Sequence, residues 1–290
     1  MLPRIVSIVF PIFIIVVIGF AYGRRHRPEM LAANQLNMTV FLPALIFSAL
    51  AGKTFSLAAN SQIAIGGAAV VLGSGLLAWP LARMLGYQPK TLVPPVMFNN
   101  AGNMGLPLLA LAFGEQALGA AVVLMLVETL LHFSLGSWLL EGRFRVAMIW
   151  REPVFAAATL GLIASLSGVA VWAPLMIAAK LLGDISLGLM IFSLGVRLST
   201  AALGSWGIAW VATIATPVTG MLVAWVYGSL AGLGRSEQDI LFIFGALPPA
   251  VVNFIFAERY QQEPEKVASM VMLGNAGALF FVPLALALRL

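Results

Sequence analysis

The chain of 290 residues has no cysteine. Disulfides, thiolate metal sites and thiol nucleophiles are therefore excluded. Charge is almost as scarce. Only 9% of residues are Asp, Glu, Lys or Arg, against about 25% in a soluble domain, so the polar surface that a soluble enzyme needs is missing. Histidine occurs only at His26 and His132, too far apart for a His-built metal centre. There is no HExxH, no P-loop and no nucleophile paired with a base, so no catalytic residue is assigned and an enzyme is disfavoured. The net charge of +5 is no nucleic-acid signal, because the basic residues sit in short loops beside apolar runs, where they set membrane topology.

What the chain has in abundance is apolar sequence, at 61%. Runs of about 18 residues or more recur along its length and predict an all-α polytopic membrane protein. Ten spans can be read, near Pro3–Tyr22, Ala32–Ala51, Ser61–Leu85, Leu92–Phe113, Gln116–Leu140, Pro153–Val171, Pro174–Val196, Trp206–Leu230, Gln238–Tyr260 and Lys266–Leu288. The first is read as a retained helix, because Arg24, Arg25 and Arg27 follow it. The loops after odd-numbered spans hold eleven Lys and Arg, among them Arg83, Lys90, Arg143, Arg145, Arg151 and Arg197; the other side holds five, Arg4, Lys53, Lys180, Arg235 and Arg289. That asymmetry places both termini outside. The tryptophans lie mostly near span ends, as an interfacial belt requires.

The fourth span is anomalous. Its stretch FNNAGNMGLP, from Phe98 to Pro107, packs Asn99, Asn100, Asn103, Gly102, Gly105 and Pro107 into membrane depth. Such sequence frees backbone groups, which the bilayer tolerates only where they are buried in protein or line a cavity. A shift of 145 residues lays LPALIFSAL of the second span on LGLMIFSLG of the seventh, and Asn103–Pro107 on Pro248–Val252 within GALPPAVVNF. A shift of 147 pairs Glu128 with Asn275. The expected architecture is thus two five-helix repeats, 1–145 and 146–290. An odd number of spans per repeat makes them inverted copies, with broken helices 4 and 9 as partners.

FNNAGNMGLPL, LNMTVFLPALIF and MIFSLGVRL resemble motifs of the auxin efflux carrier family, which includes plant PIN-like and bacterial malate- or malonate-permease-like members. The resemblance runs through both halves. It implies a fold similar to the bile-acid sodium symporters, with a scaffold domain from helices 1, 2, 6 and 7 that often dimerises. A transport domain from helices 3–5 and 8–10 would hold the crossing breaks and move as an elevator. The resemblance further implies a secondary transporter for a small organic anion in a bacterial inner membrane. The long cytoplasmic loop of many plant members is absent.

Two broken helices would aim their N-terminal halves at the midplane, where free N–H groups and partial positive charge suit a carboxylate. Substrate-binding candidates are Asn99, Asn100, Asn103, Gly105, Pro107, Pro248, Pro249 and Asn253. Equally, the asparagines could merely satisfy the broken backbone. Glu128 and His132, four apart and on one helix face, are candidates for proton coupling or for a structural hydrogen bond. Asn275 is placed to bond the ninth-span break. Lys180 and Asp184 read as a helix-face ion pair or a snorkelling lysine, or else as a gate or substrate contact on the scaffold face, and Asn34 and Asn37 as a cap or interface pair. Glu258 and Arg259 close the ninth span. No cofactor is expected beyond H+ or Na+ as coupling ion. The alternative, a sodium-coupled bile-acid-type symporter, would use Asn103, Glu128 and Asn275 as its metal site. Expected partners are membrane lipid, the organic anion and a second copy of the chain.

Overall fold

Proline opens three of the helices and basic residues or glycine close several others, so many boundaries follow from backbone chemistry. The structure, a computed structural model, describes residues 2–52, 55–142, 152–168, 170–199 and 204–289. Lys53, Arg143, Arg145 and Arg151, and the repeat boundary at 145–146, lie outside the described residues. Helix α1 (Leu2–His26) ends on Arg24, Arg25 and His26, cations that suit the negative end of a helix. It is followed by α2 (Leu31–Leu50) and α3 (Leu57–Met84). The expected fourth span is two short helices, α4 (Pro89–Met97) and α5 (Ala101–Phe113). Next come α6 (Glu115–Glu141), α7 (Pro153–Ser167), α8 (Ala173–Ser199) and α9 (Trp206–Leu230). The expected ninth span is also two helices, α10 (Arg235–Gly245) and α11 (Val252–Arg259), before α12 (Pro264–Arg289). Proline starts α4, α7 and α12, where its missing N–H has no intrahelical partner to lose.

Among the described residues, seven helices are long and apolar enough to cross a membrane: α1, α2, α3, α6, α8, α9 and α12. Helix α7 is shorter than the expected sixth span. It stops at Ser167, because Gly168 takes a left-handed conformation (φ 66°) and caps the end. Its 15 residues span roughly 22 Å, less than the ~30 Å hydrocarbon core.

The helices pack in two groups. Helix α1 lies along α8, and α2 packs on both α7 and α8. The α1–α8 crossing is close because glycine faces backbone from both sides. A β-carbon on Gly195 would stand 2.1 Å from the Val16 carbonyl oxygen, and one on Gly19 2.3 Å from that of Phe192. Small residues at such a crossing replace hydrophobic force with close packing. In the second group α9 packs on α3, α10 and α12, and α3 on α4 and α6. The groups meet where α2 touches α6, where α8 touches α5, and where α1 touches α5 and α12. Large apolar side chains such as Phe10, Leu160, Ile163, Leu181 and Trp225 face outward, a surface matched to lipid rather than water.

Candidate functional site

The two breaks meet. Asn99 and Pro249 form an antiparallel bridge, in which Asn100 N–H donates to the Pro248 carbonyl (2.7 Å) and Ala250 N–H to the Phe98 carbonyl (2.9 Å). Each interrupted segment thus supplies part of what the other lacks: the Pro248 and Phe98 carbonyls, freed from any helix, each accept from the partner segment.

Asparagine side chains complete this. Asn99 Nδ2 donates to the Phe244 carbonyl (2.9 Å), and Asn253 Nδ2 to the Phe98 carbonyl (3.0 Å). The two make the same kind of contact from opposite halves. Asn275 Nδ2 donates to the carbonyls of Pro249 (3.0 Å) and Val271 (2.8 Å), while its Oδ1 accepts from Asn100 Nδ2 (2.9 Å). Asn275 therefore holds the second break, as its spacing suggested, and its amide is committed. Asn103 differs: it makes no hydrogen bond among the described residues, is half-buried, and faces a cavity.

That cavity, of about 220 Å³, lies between the two helix groups. Asn99, Asn100, Asn103, Glu128 and His132 line it; Gly105, Pro107, Pro248, Pro249, Asn253 and Asn275 do not. Gly105 and Pro107 are buried in α5 instead, where a β-carbon on Gly105 would press to 2.8 Å from Leu247. Both helices that restart after the breaks, α5 and α11, begin at the cavity through Ala101–Asn103 and Val252. The N-terminal end of a helix carries partial positive charge, so two such ends converge here; in α11 the Asn253 and Phe254 N–H groups are already bonded to the Ala250 (3.2 Å) and Val251 (3.0 Å) carbonyls. The apolar wall comes from Met38 and Leu42 of α2, Phe155 of α7 and Met190 of α8. These residues, together with Thr129 and Glu152, carry no sequence signal apart from their neighbours, because a Met or Phe in a span reads as core.

Glu128 and His132 are both buried, and His132 Nδ1 lies 3.4 Å from Glu128 Oε1. The His132 ring stacks on Phe98 (4.1 Å between centroids, 5° between planes) and meets Phe256 edge-on (4.9 Å). It thus touches one residue from each interrupted segment. Among the described residues Asn99 Oδ1, Asn253 Oδ1 and His132 Nε2 are buried with no hydrogen-bond partner, and Glu128 Oε1 has only the long contact to His132. Unpaired buried polar atoms are costly, so these four set the region apart from the rest of the core.

Three π turns border the same cavity: Asn37–Phe41 in α2, Ala101–Gly105 at the start of α5 and His132–Gly136 in α6. The extra residue in a π turn widens the helix and re-aims side chains, and such turns gather at functional sites. Asn37 opens one of them, buried inside α2, rather than capping a helix.

Away from the cavity, Lys180 departs from its expected partner. Its Nζ pairs with Glu115 Oε1 of α6 at 2.6 Å, while Asp184 acts on it only at longer range and makes no ion pair among the described residues. At the opposite end of the bundle, Thr91 Oγ1 donates to Glu263 Oε2 (2.5 Å) and accepts from Gln262 Nε2 (2.9 Å), and Lys266 also binds Glu263. This clasp ties α4 to the α11–α12 turn. Burial raises the Glu263 pKa, but the bonds from Lys266 and Thr91 outweigh it and hold the carboxyl below the ordinary range. Glu258 and Arg259 end α11, as expected. Among the described residues no group of three or more His, Cys, Asp or Glu gathers around one point.

The sequence profile of a family described as membrane transport protein matches this chain twice, over residues 4–149 and 143–286. An uncharacterized transporter of Methanocaldococcus jannaschii is 24% identical over 199 residues, or 65% of this chain; the chain spans 64% of that relative's length.

Proposed function

The chain belongs to the membrane transport protein family, the auxin efflux carriers, and from that premise we propose that it is a secondary transporter moving a small, carboxylate-bearing organic anion by alternating access. The observation that carries this reading is the bridged crossover beside a cavity, with Asn103 free and two helix N-termini aimed at one space. Counted as single interrupted spans, α4 with α5 and α10 with α11 bring the membrane helices to ten. Two successive matches to one family profile support an internal duplication, and the mirrored roles of Asn99 and Asn253 support its inversion. The grouping of α1, α2, α7 and α8 apart from the rest supports a scaffold against which a transport domain slides. Dimerisation through that scaffold, and a bacterial inner membrane with both termini outside, belong to the same proposal.

In this reading Asn103 and the helix ends hold the carboxylate, and Glu128 with His132 takes the coupling proton. A second reading, sodium coupling, has its own observation in the buried acceptors Asn99 Oδ1, which has no donor among the described residues, and Glu128 Oε1, which has only the 3.4 Å contact to His132. Uptake of labelled benzoate, indole-3-acetate and malonate into proteoliposomes tests both. Proton coupling is expected to give uptake driven by a pH gradient without sodium, and Glu128→Gln to remove that dependence. Uptake driven by sodium alone supports the second reading. Uptake of none of the three acids refutes the carboxylate assignment.

A further inference from the structure

The second cavity between the helix groups lies at the end of the bundle opposite Glu152. It is larger, about 540 Å³, and is walled by apolar side chains of α2, α6 and α8, including Leu45, Leu118 and Leu187. Lys180 is its only cation among the described lining residues, and Glu115 and Asp184 line it too. The Lys180 ammonium is held 2.6 Å from a carboxylate oxygen, the geometry of a charge-assisted bond. That carboxylate comes from the far side of the cavity, on the short turn that starts α6, and its side chain is 83% exposed.

Nothing local requires Glu115 to reach across. In the turn before α12, by contrast, Glu263 is held by Lys266 of its own helix start and by Thr91 of α4, both within one helix group. Glu115 instead spans the boundary between the helix groups. Exposed ion pairs add little stability, so exchanging Glu115 for another carboxylate disturbs the fold little.

We propose that Lys180 anchors an entry subsite for monocarboxylates with an apolar body, and that Glu115 occupies it as a resident carboxylate which the incoming ligand displaces. This rests on the carboxylate-transport reading given above. The apolar walls take the body of the ligand. Glu115 and Asp184 leave the lining with one negative charge in excess, which opposes a second carboxylate. The subsite lies apart from Asn103 and loads the crossover cavity.

The sign of two substitutions separates a subsite from a simple brace. A brace is broken equally by Lys180→Gln and Glu115→Gln, so both variants move transport the same way. In a subsite Glu115 competes with the ligand and Lys180 binds it, so the two move in opposite directions. The measurement is initial-rate uptake of benzoate by the full chain reconstituted in liposomes, with malonate in parallel. Lys180→Gln is expected to raise the benzoate KM about fivefold, Glu115→Gln to lower it by a similar factor, and Lys180→Arg to stay near wild type. The maximal rate stays level, and malonate is carried less well than benzoate. KM shifts of one sign in both Gln variants, or in neither, overturn the subsite while leaving the carboxylate reading standing. Wild type that carries neither of these acids nor indole-3-acetate overturns that reading, and the subsite with it; where only indole-3-acetate is carried, the same two substitutions are read with that acid.

Discussion

At the scale of the residue, the asparagines divide by what their amides already do. Asn99, Asn253 and Asn275 spend theirs on carbonyls at the breaks, and Asn100 bonds Asn275. Asn103 spends nothing and faces the cavity. In the reading proposed above, removing Asn103 therefore deletes a ligand contact without orphaning a backbone group. Asn103→Ala is expected to leave the melting temperature of purified protein within a degree or two of wild type, and to weaken carboxylate binding roughly ten- to a hundredfold, the size of a lost bond to a charged group. Wild-type affinity in that variant would move the site elsewhere. Asn253→Ala acts in the reverse sense. It withdraws a donor from the buried carbonyls of Phe98 and Ala250, at a cost of about 1–3 kcal/mol, so it lowers stability first and transport only as a consequence. A thermal melt of the two variants side by side checks the division.

At the scale of the element, the breaks were legible and the cavity wall was not. Asn, Gly and Pro at membrane depth have few physical explanations, so FNNAGNMGLP and GALPPAVVNF announced two interruptions, and their common offset announced that they pair. The spacing of Glu128 and His132 likewise gave their contact. The Lys180–Asp184 pairing failed, because an i,i+4 rule knows nothing of Glu115 arriving from another helix. The three π turns left no trace in periodicity, since one inserted residue is too small a phase slip to see among apolar residues. Helix contacts carry their own expectation. Gly220 and Gly245 set α9 against the end of α10, and a β-carbon on Gly220 would lie 2.1 Å from the Gly245 carbonyl oxygen. Gly220→Ala forces backbone apart just before the second break and should destabilise by about 1–3 kcal/mol, seen as a lower melting temperature. The Glu263 clasp adds a pH dependence. Its carboxyl pKa is depressed in the folded chain, so its contribution is present above the ordinary carboxylate pKa and is lost as pH falls through the lowered value. Melting temperature should drop on acidification below about pH 4.5, and less so in Glu263→Gln; equal slopes in both would take the clasp out of the acid response.

At the scale of the molecule, the two helix groups pose the question of movement. Each is tightly packed within itself, α1 on α8 by glycine contact and α9 on α3, α10 and α12. Between them lie both cavities, one at each end of the bundle. Close-packed interiors do not deform continuously, so a chain that must expose one site to two sides moves whole groups past each other. The crossover belongs to the group of α3–α6 and α9–α12, and its hydrogen bonds close among those helices. In the alternating-access mechanism proposed above, Asn103 and the helix ends travel as one rigid body, while Met38, Leu42 and Met190 stay behind with α2 and α8. Joining the groups should stop transport without emptying the site. Ala49 on α2 and Leu118 on α6 line the larger cavity from its two sides, and the absence of native cysteine makes a paired replacement clean. Ala49→Cys with Leu118→Cys, bridged by a cleavable bismaleimide, is expected to abolish uptake into proteoliposomes while equilibrium binding at the crossover cavity persists. Cleaving the linker should restore the rate. Undiminished uptake with the bridge in place would mean that the groups stay fixed, and that access changes through local rearrangement at the π turns instead.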